Sequence, residues 1–310
     1  MADKKNPIDW SEKCWKDMLV YQRKALWHPD TLDRLAAWMG LRPGMIAVDV
    51  GCGLGYLGYT YWPYFGKNGH YLGIDINRAN LRDAAEASRE WASGGNADFL
   101  CGSGDRLPLP DNCADLVMDQ VVLIHLEKPE KILTEMIRVA KPGGLIVCSE
   151  PDNMSSPMIK YCSSLPELSV EEKLLATKVY LLSNQGRIDQ GRGDNSLGSR
   201  IPHMMKLMDL EQIEIRLNDK VHYLEPPYEG YWQQTTLEKM KKNWWDDESR
   251  DKWIERERSE FIAGGGTDEE YDKYIEISLK RLEICRRQVE RGEYYSCGGA
   301  LMYIIKGRKP

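Results

Sequence analysis

The sequence lacks the features that mark membrane, secreted and nucleic-acid-binding proteins. No run approaches the roughly 18 consecutive apolar residues that a membrane helix needs, and the opening segment MADKKNPIDW has no apolar signal region. The net charge is -6, and Lys and Arg are mixed with Asp and Glu, so no basic stripe suits a phosphate backbone. We therefore expect a cytoplasmic protein without membrane or nucleic-acid partners.

Spacings typical of metal sites are also missing. The eight cysteines stand singly and none forms a C-x-x-C pair, while the five histidines include no H-x-x-x-H pair on one helical face. We interpret the cysteines as reduced core residues and expect no bound metal. Internal repeats and low-complexity tracts are absent as well.

Apolar runs and helical patterns alternate through the first half of the chain. The apolar runs are continuous, which is typical of parallel strands buried on both faces. We therefore predict an α/β fold with a doubly wound, mostly parallel sheet. Strands are predicted at 45–50, 70–74, 97–101, 114–118 and 145–149, and helices at 54–65, 79–91 and 129–140.

The rest of the chain is predicted to precede, interrupt and complete this core. A helix is expected at 170–183, a strand at 212–217 and a last strand run at 300–305. Glycines at 264–266 break a long charged helical region. The predicted segments are leader helices in 1–43, core in 44–150, a first insertion in 151–195, core again in 196–225, a helical insertion in 226–291 and the final core strand in 292–310.

The strongest local signal is the sequence VDVGCGLG, residues 48–55. It falls where a strand meets a helix, and it places glycine at 51, 53 and 55. Without Cβ atoms the backbone can turn sharply and a ligand can lie against it, beside the unpaired N–H groups of the following helix. Three glycines at alternate positions exceed the need of a simple turn, so we predict a ligand-binding loop.

Two kinds of cofactor fit this loop. Residues 53–58 match G-x-G-x-x-G, the dinucleotide fingerprint, and Asp75 lies near the spacing of a ribose-binding acid. Asp49, two residues before Gly51, favours a cationic ligand, because a carboxylate there repels a pyrophosphate and attracts an ammonium or a sulfonium. The sign of the charge favours a sulfonium methyl donor over NAD(P).

Four blocks, in this order, resemble the class I S-adenosylmethionine-dependent methyltransferases, particularly the small-molecule enzymes related to the ubiquinone and menaquinone methyltransferases. They are VDVGCGLG, YLGIDIN (71–77), LPLPD (107–111) and KPGGLIV (141–147), and the resemblance covers about residues 44–150. It implies a seven-stranded Rossmann-like sheet whose last strand is antiparallel. It also implies S-adenosylmethionine as cofactor and a small molecule as methyl acceptor.

The resemblance also implies cofactor contacts at matching positions. Asp75 would bind both ribose hydroxyls in a charge-assisted contact, and Ile76 would pack on the adenine. Gln120 ends the fourth strand, beside the methionine part. The residues that would surround the amino-acid part are Asp49, Gly51, Cys52, Gly53 and Gly55.

One block departs from the family pattern. After the third strand the family usually shows Gly-Asp-Ala, whereas this chain has Gly102, Ser103, Gly104 and Asp105. Ser103 occupies the place of the acid and Gly104 follows it. Either the Ser103 hydroxyl or a displaced Asp105 would then meet the adenine amino group.

Methyl transfer from a sulfonium needs mainly alignment of the acceptor atom with the methyl carbon, so a base is optional. His125 is the candidate base for a hydroxyl or a protonated amine, with capping of the strand end as the alternative. Tyr21 on a leader helix, Arg200, Tyr228 and Trp232 are candidates for a lid or an acceptor site.

The helical insertion has three interpretations. Its aromatic residues would line an acceptor pocket, form the inner stripe of a helical hairpin, or belong to an arm that makes a homodimer. The function favoured by the sequence is methyl transfer to a small molecule at O, N, S or C. An NAD(P)-dependent oxidoreductase and a non-catalytic cofactor-binding relative are the alternatives.

Overall fold

A computed structural model describes residues 27–154, 162–219, 221–243 and 245–310. The chain divides into two compact units. Among the described residues, the core unit contains 27–152, 196–219 and 301–310, and the insertion unit contains 153–154, 162–195, 221–243 and 245–300. The first predicted leader helix, with Tyr21, lies outside the described residues.

The helices and strands are numbered along the chain. In the core unit they are α1 (Pro29–Met39), β1 (Ile46–Val50), α2 (Tyr56–Phe65), β2 (His70–Asp75), α3 (Arg78–Trp91), β3 (Asn96–Cys101), β4 (Ala114–Gln120), α4 (Pro129–Val139) and β5 (Ala140–Pro151). The insertion unit begins with β6 (Cys162–Ser163) and α5 (Val170–Asp189), after which α6 (Ile201–Leu207) and β7 (Glu211–Leu217) return to the core unit. The insertion unit continues with β8 (Val221–Leu224), α7 (Tyr231–Asn243), α8 (Asp247–Ala263), α9 (Asp268–Glu290) and β9 (Ser296–Gly299), and β10 (Met302–Arg308) completes the core unit.

The core unit is built on a seven-stranded sheet in the order β3-β2-β1-β4-β5-β10-β7. The pairs from β3 to β5 are parallel, and β10 runs antiparallel to both of its neighbours. The predicted doubly wound α/β sheet with an antiparallel last strand is confirmed. The chain order reverses between β1 and β4, and ligands of open α/β sheets bind at such a point, beyond the carboxyl ends of the strands.

Alternate residues of β1 enter two separate cores, as the period of a strand requires. Val48 and Val50 pack in a cluster with α4 and α6, whereas Ala47 packs in a cluster with α1 and α2. All three residues are at most 1% exposed. The two clusters cover both faces of the sheet, so the strands are held in place up to the point where the glycine loop begins.

The insertion unit contains helices and a second sheet in the order β6-β9-β8. The predicted helical region has a break at 264–266, where α8 ends, and Thr267 begins α9 with a capping box. A further break separates α7 from α8. The sequence prediction had grouped residues 221–225 and 292–300 with the core, whereas β8 and β9 pair with each other in this second sheet.

Candidate functional site

The loop between β1 and α2 follows a backbone path that favours glycine. Gly51, Gly53 and Gly55 have φ of 69°, 53° and 72°, in the left-handed region. A Cβ on Gly51 would lie 2.6 Å from Cγ2 of Val122. Among the described residues no side chain caps the N-terminus of α2 at Gly55. The loop therefore offers bare backbone to a ligand next to the positive end of a helix.

Asp75 ends β2 and faces this loop. Its Oδ2 accepts the N–H of Gly53 at 2.9 Å, and its Oδ1 accepts the N–H of Asn77 at 2.8 Å. Each carboxylate oxygen has a further acceptor position, so the same group can still bind two hydroxyls. Ile76 follows with its apolar side chain 66% exposed. A hydroxyl-binding carboxylate and an apolar surface thus stand side by side at the edge of the loop.

Ser103 and Asp105 lie together after β3. The Ser103 hydroxyl donates a hydrogen bond to Oδ1 of Asp105, and both side chains are exposed. The two residues predicted as alternatives for the adenine contact are therefore hydrogen-bonded to each other. A Cβ on Gly104 would lie 2.7 Å from Cδ1 of Ile132, so the glycine lets this loop approach α4 closely.

Asp49 is buried within β1 at 1% exposure. Its Oδ2 accepts a hydrogen bond from the hydroxyl of Tyr71 at 2.6 Å, and Tyr71 itself is fully buried. In the parallel register Ala47 pairs with Tyr71 and Asp49 with Gly73, so the tyrosine is a diagonal neighbour of Asp49. Sequence reasoning missed Tyr71; the strand register was the signal that pointed to it.

The segment after β4 contains a strained residue. Val121 has φ of 57°, which is unfavourable for a β-branched side chain, and its N–H donates to the carbonyl of Ser149 at 3.0 Å. Gln120, directly before it, is 2% exposed, and its Nε2 meets no acceptor among the described residues. His125 lies half-buried in the 3-10 turn Leu123–His125. The structure therefore places Gln120 and His125 at one end of β4, in a segment whose Val122 borders Gly51.

A buried pair of acids at this edge was not predicted. Glu150, near the end of β5, accepts the N–H groups of Val122 and Leu123 through Oε1, each at 2.7 Å. Its other oxygen and both oxygens of Asp119 meet no donor in the described part of the chain. Burial raises the pKa of Asp119, and burial together with the Asp119 carboxylate raises the pKa of Glu150 well above its ordinary value. Both carboxyls therefore hold a proton to higher pH in the folded chain than they would in water.

Comparison with known proteins decides the family. A family model described as "Methyltransferase domain" matches residues 41–201, just over half of the chain. The chain belongs to the methyltransferase domain family. S-adenosylmethionine is the cofactor that this membership indicates, so the resemblance and the cofactor predicted from the sequence are confirmed.

Two curated relatives of this methyltransferase match parts of its chain. An uncharacterized methyltransferase of Schizosaccharomyces pombe is 37% identical over 114 residues, which is 35% of this chain and 41% of that protein. The ubiquinone/menaquinone biosynthesis C-methyltransferase UbiE of Vibrio cholerae is 31% identical over 140 residues, which is 45% of this chain and 51% of that protein. The chain thus spans about half the length of the curated relatives it matches.

A solved structure has the same fold. One chain of the Haloferax volcanii complex that contains the Trm112 methyltransferase activator superposes with a TM-score of 0.50 at 17% identity, over 100% of this chain and 99% of that one. At this identity the likeness concerns the fold only.

The residues at the sheet edge of the methyltransferase fit its cofactor. Asp75 keeps acceptor positions for two hydroxyls beside the exposed Ile76, and the left-handed glycines leave no Cβ in the way of a ligand. The buried Asp49 adds negative charge below the loop, which suits the ammonium and sulfonium groups. The individual contacts remain predictions.

The candidates for a lid or an acceptor site are dispersed. Arg200 is exposed at the end of a 3-10 turn of the core unit. In the insertion unit, the Tyr228 hydroxyl donates to the carbonyl of Tyr294 at 2.8 Å, and the ring of Trp232 packs edge-on against Tyr231 at 5.0 Å. Tyr228 thus has a packing role, and a role of these residues toward an acceptor remains a prediction.

The described residues lack two further features. They contain no group of three or more His, Cys, Asp or Glu side chains suited to a metal ion. Within the same ranges, no helix combines the length and the apolar character needed to cross a bilayer.

Proposed function

We propose that the protein transfers the methyl group of S-adenosylmethionine to a small-molecule acceptor. The observation that carries the proposal is the hydrogen bond between the Gly53 N–H and Asp75 at the edge of a glycine loop, in a chain that belongs to the methyltransferase domain family. When bound, the sulfonium cofactor would supply an activated methyl group: an acceptor lone pair attacks the methyl carbon in line, the bond from that carbon to sulfur breaks, and the neutral thioether leaves.

The chain's own residues bind and orient the cofactor. Asp75 accepts the two ribose hydroxyls while its bonds to Gly53 and Asn77 hold the carboxylate in one orientation. Ile76 packs against the adenine, and the Ser103–Asp105 pair accepts the adenine amino group. The glycines at 51, 53 and 55 approach the amino-acid part of the cofactor through backbone atoms alone. Gln120 offers its side-chain amide to the same part of the cofactor.

Asp49 favours this cofactor through the sign of its charge. Its Oδ2 accepts a hydrogen bond from the Tyr71 phenol, a neutral group, so this contact does not cancel a negative charge on the carboxylate. A buried negative charge stabilises a cationic ligand and destabilises a pyrophosphate. This is the physical ground on which we place the methyl donor above a dinucleotide.

His125 is the residue that we propose as proton acceptor. It lies in the turn that follows β4, half-buried, where a neutral imidazole can take a proton from an acceptor hydroxyl or amine. A thiolate acceptor is already deprotonated and needs no such step. The acceptor atom, O, N, S or C, decides whether the histidine takes part. We place the enzyme in the cytoplasm, and a homodimer through residues 226–291 remains a prediction.

An NAD(P)-dependent oxidoreductase is the second candidate, because residues 53–58 match the dinucleotide fingerprint. In the structure a Cβ on Gly58 would lie 2.7 Å from the Tyr71 ring, so this glycine allows α2 to pack on β2. That packing role is the one the fingerprint assigns to its third glycine. A glycine there supports close helix–strand packing in either class of protein.

Isothermal titration calorimetry of the full chain distinguishes the two. We expect binding of S-adenosylmethionine and S-adenosylhomocysteine and no binding of NADH; tight NADH binding alone would overturn the proposal. Asp75→Ala should weaken binding of the homocysteine product by about 10- to 150-fold, because a lost charge-assisted contact costs about 1.5–3 kcal/mol. Glu86→Ala, which removes the same charge from an exposed position on α3, is the control and should bind like the wild type.

A further inference from the structure

Three arginines of the insertion unit converge on one carboxylate oxygen. Oε1 of Glu260, on α8, lies 3.5 Å from Nη1 of Arg187, 3.1 Å from Nη1 of Arg192 and 3.4 Å from Nε of Arg256. Glu260, Arg187 and Arg192 are at most 8% exposed. Arg187 stands in the last turn of α5, Arg192 follows that helix, and Arg256 precedes Glu260 by one turn of α8. We call these four residues the arginine cluster.

Among the described residues around the arginine cluster, the positive charges outnumber the negative ones. Three guanidinium groups face Glu260, and Asp194 adds a second negative charge near Arg187. Glu257, in the preceding turn of α8, adds less than a full negative charge near neutral pH, since burial raises the pKa of its carboxyl to about 7. Burial, followed by the charge of the neighbouring Arg192, lowers the pKa of Arg256 to about 10. Excess positive charge is thus held in a place with little water.

One edge of the Arg192 guanidinium meets no protein acceptor among the described residues. Its Nη1 donates to Oε1 of Gln190 at 3.2 Å and faces Glu260, whereas Nε and Nη2 are buried without a partner. These two nitrogens lie on the same side of the planar group and present two parallel N–H bonds. That arrangement matches two oxygens of one carboxylate or phosphate. A buried donor without an acceptor is unfavourable, so this edge favours a ligand that has oxygens.

The face of α5 that carries Arg187 also contributes a buried hydroxyl. Ser183 lies one turn before Arg187 on the same face of the helix, and its Oγ is buried without a partner in the described ranges. The helices cannot move closer to satisfy these groups, because Gly186 already brings them into contact: a Cβ there would lie 1.8 Å from the carbonyl oxygen of Glu260.

We propose that the arginine cluster is a binding site for a small oxyanion, a phosphate or a carboxylate group. The edge of Arg192 formed by Nε and Nη2 binds this group through two hydrogen bonds. The anion offsets the charge that Glu260 leaves uncompensated. This site lies within the insertion unit and does not depend on methyl transfer.

Thermal unfolding of the full chain tests the site with two probes, sodium phosphate and sodium acetate, each compared with sodium chloride at equal ionic strength. We expect a saturable rise in the unfolding temperature with at least one probe. A rise with phosphate alone assigns a phosphate ligand, and a rise with acetate alone assigns a carboxylate. Equal unfolding temperatures in all three salts would overturn the proposal.

Matched variants locate the effect. Arg192→Gln should lower the apparent affinity for the active probe by at least about tenfold, since it removes the bidentate edge and one charge. Arg192→Lys, which keeps the charge and the fold but loses the edge, should also weaken it. Arg286→Gln removes an exposed arginine that pairs with Glu290 and should behave like the wild type. Unchanged affinity in both Arg192 variants would contradict the assignment.

Glu260→Gln tests whether a bound oxyanion can restore the stability that the missing carboxylate provided. Removal of the carboxylate leaves the three arginines without their shared partner, so the variant should unfold at a lower temperature in chloride than the wild type. An oxyanion that binds the cluster should restore much of this loss and bind more tightly than to the wild type, because its competitor is gone. Loss of stability that neither probe restores would show that the cluster only joins helices.

Discussion

Glu150 accepts the backbone N–H of Val122 at 2.7 Å, and Val122 in turn lies where a side chain on Gly51 would have to be. An acid near the end of β5 thus fixes the segment that follows β4, and that segment borders the glycine loop that follows β1. This contact and the hydrogen bond that the Leu123 N–H donates to Glu150 hold the segment next to Val121, whose φ is strained. The shape of the cofactor site therefore depends on a residue that the site prediction did not include.

Two substitutions of Glu150 should distinguish the effect of its hydrogen bonds from the effect of its charge. In Glu150→Gln the amide oxygen can accept both backbone N–H groups and the amide nitrogen can donate to Asp119, so cofactor affinity and stability should stay near wild type. In Glu150→Ala the two backbone donors, Val122 and Leu123, lose their acceptor, which costs about 1–3 kcal/mol for each unsatisfied group. Calorimetry with S-adenosylhomocysteine and urea unfolding measure the two effects. Equal loss in both variants would show that the negative charge itself is needed.

Gly51→Ala should impair cofactor binding more than stability. The substitution forces an alanine into a left-handed conformation, at about 1–2 kcal/mol, and places its Cβ against Val122. We expect at least a tenfold loss of affinity for S-adenosylhomocysteine. Gly94→Ala is the matched control, because Gly94 has φ of 77° but no atom within 4 Å of the added Cβ. The control should lose similar stability and keep its affinity; a similar loss of affinity in both would refute the role of the loop.

His125→Gln should lower the rate of methyl transfer by about 100-fold or more if the histidine takes the acceptor proton. The assay is transfer of a labelled methyl group from S-adenosylmethionine to small molecules of a cell extract, with cofactor affinity measured in parallel and expected to be unchanged. His203→Gln, at an exposed position of α6, is the control. Rates equal to wild type would leave His125 with a packing role.

Glu257 predicts a pH dependence of stability in the insertion unit. Its folded pKa of about 7 exceeds the ordinary value of 4.5, so between these two values the folded chain keeps a proton that the unfolded chain has released. The free energy of unfolding therefore falls as pH rises through this window, by up to about 3 kcal/mol, and is level above it. Glu257→Gln should make the decline between pH 5 and pH 7.5 in urea unfolding smaller by this amount, while Asp119 and Glu150, whose pKa values are also raised, keep their own contribution. The exposed Glu283→Gln should keep it; an unchanged decline in Glu257→Gln would contradict the burial argument.

The sequence predicted the core strands and helices mostly within a few residues of their observed ends. Local patterns were sufficient there, because continuous apolar runs and glycine clusters indicate strands and turns within windows of about a dozen residues. The strands of the small sheet were missed: β6 has two residues and β9 consists of Ser, Cys and Gly. Such segments form strands through their partners and carry little strand preference of their own.

The candidate site likewise contains residues that the local sequence indicated and contacts that it could not indicate. Asp75, Ile76 and the glycine loop were predictable because they follow directly from strand ends in the sequence. The contact of Tyr71 with Asp49 depends on strand register, and the pairing of Asp119 with Glu150 depends on β4 lying beside β5. The arginine cluster joins residues 187 and 260, which only the packing of α5 on α8 brings together.

The sequence by itself determined the parallel α/β core, the glycine loop and the acid that ends β2, since these arise from the order of residues along short stretches. The tertiary structure alone decided which buried charges meet. Burial and pairing of charges depend on groups that are far apart in the chain, and their energies become large only when packing removes water from between them.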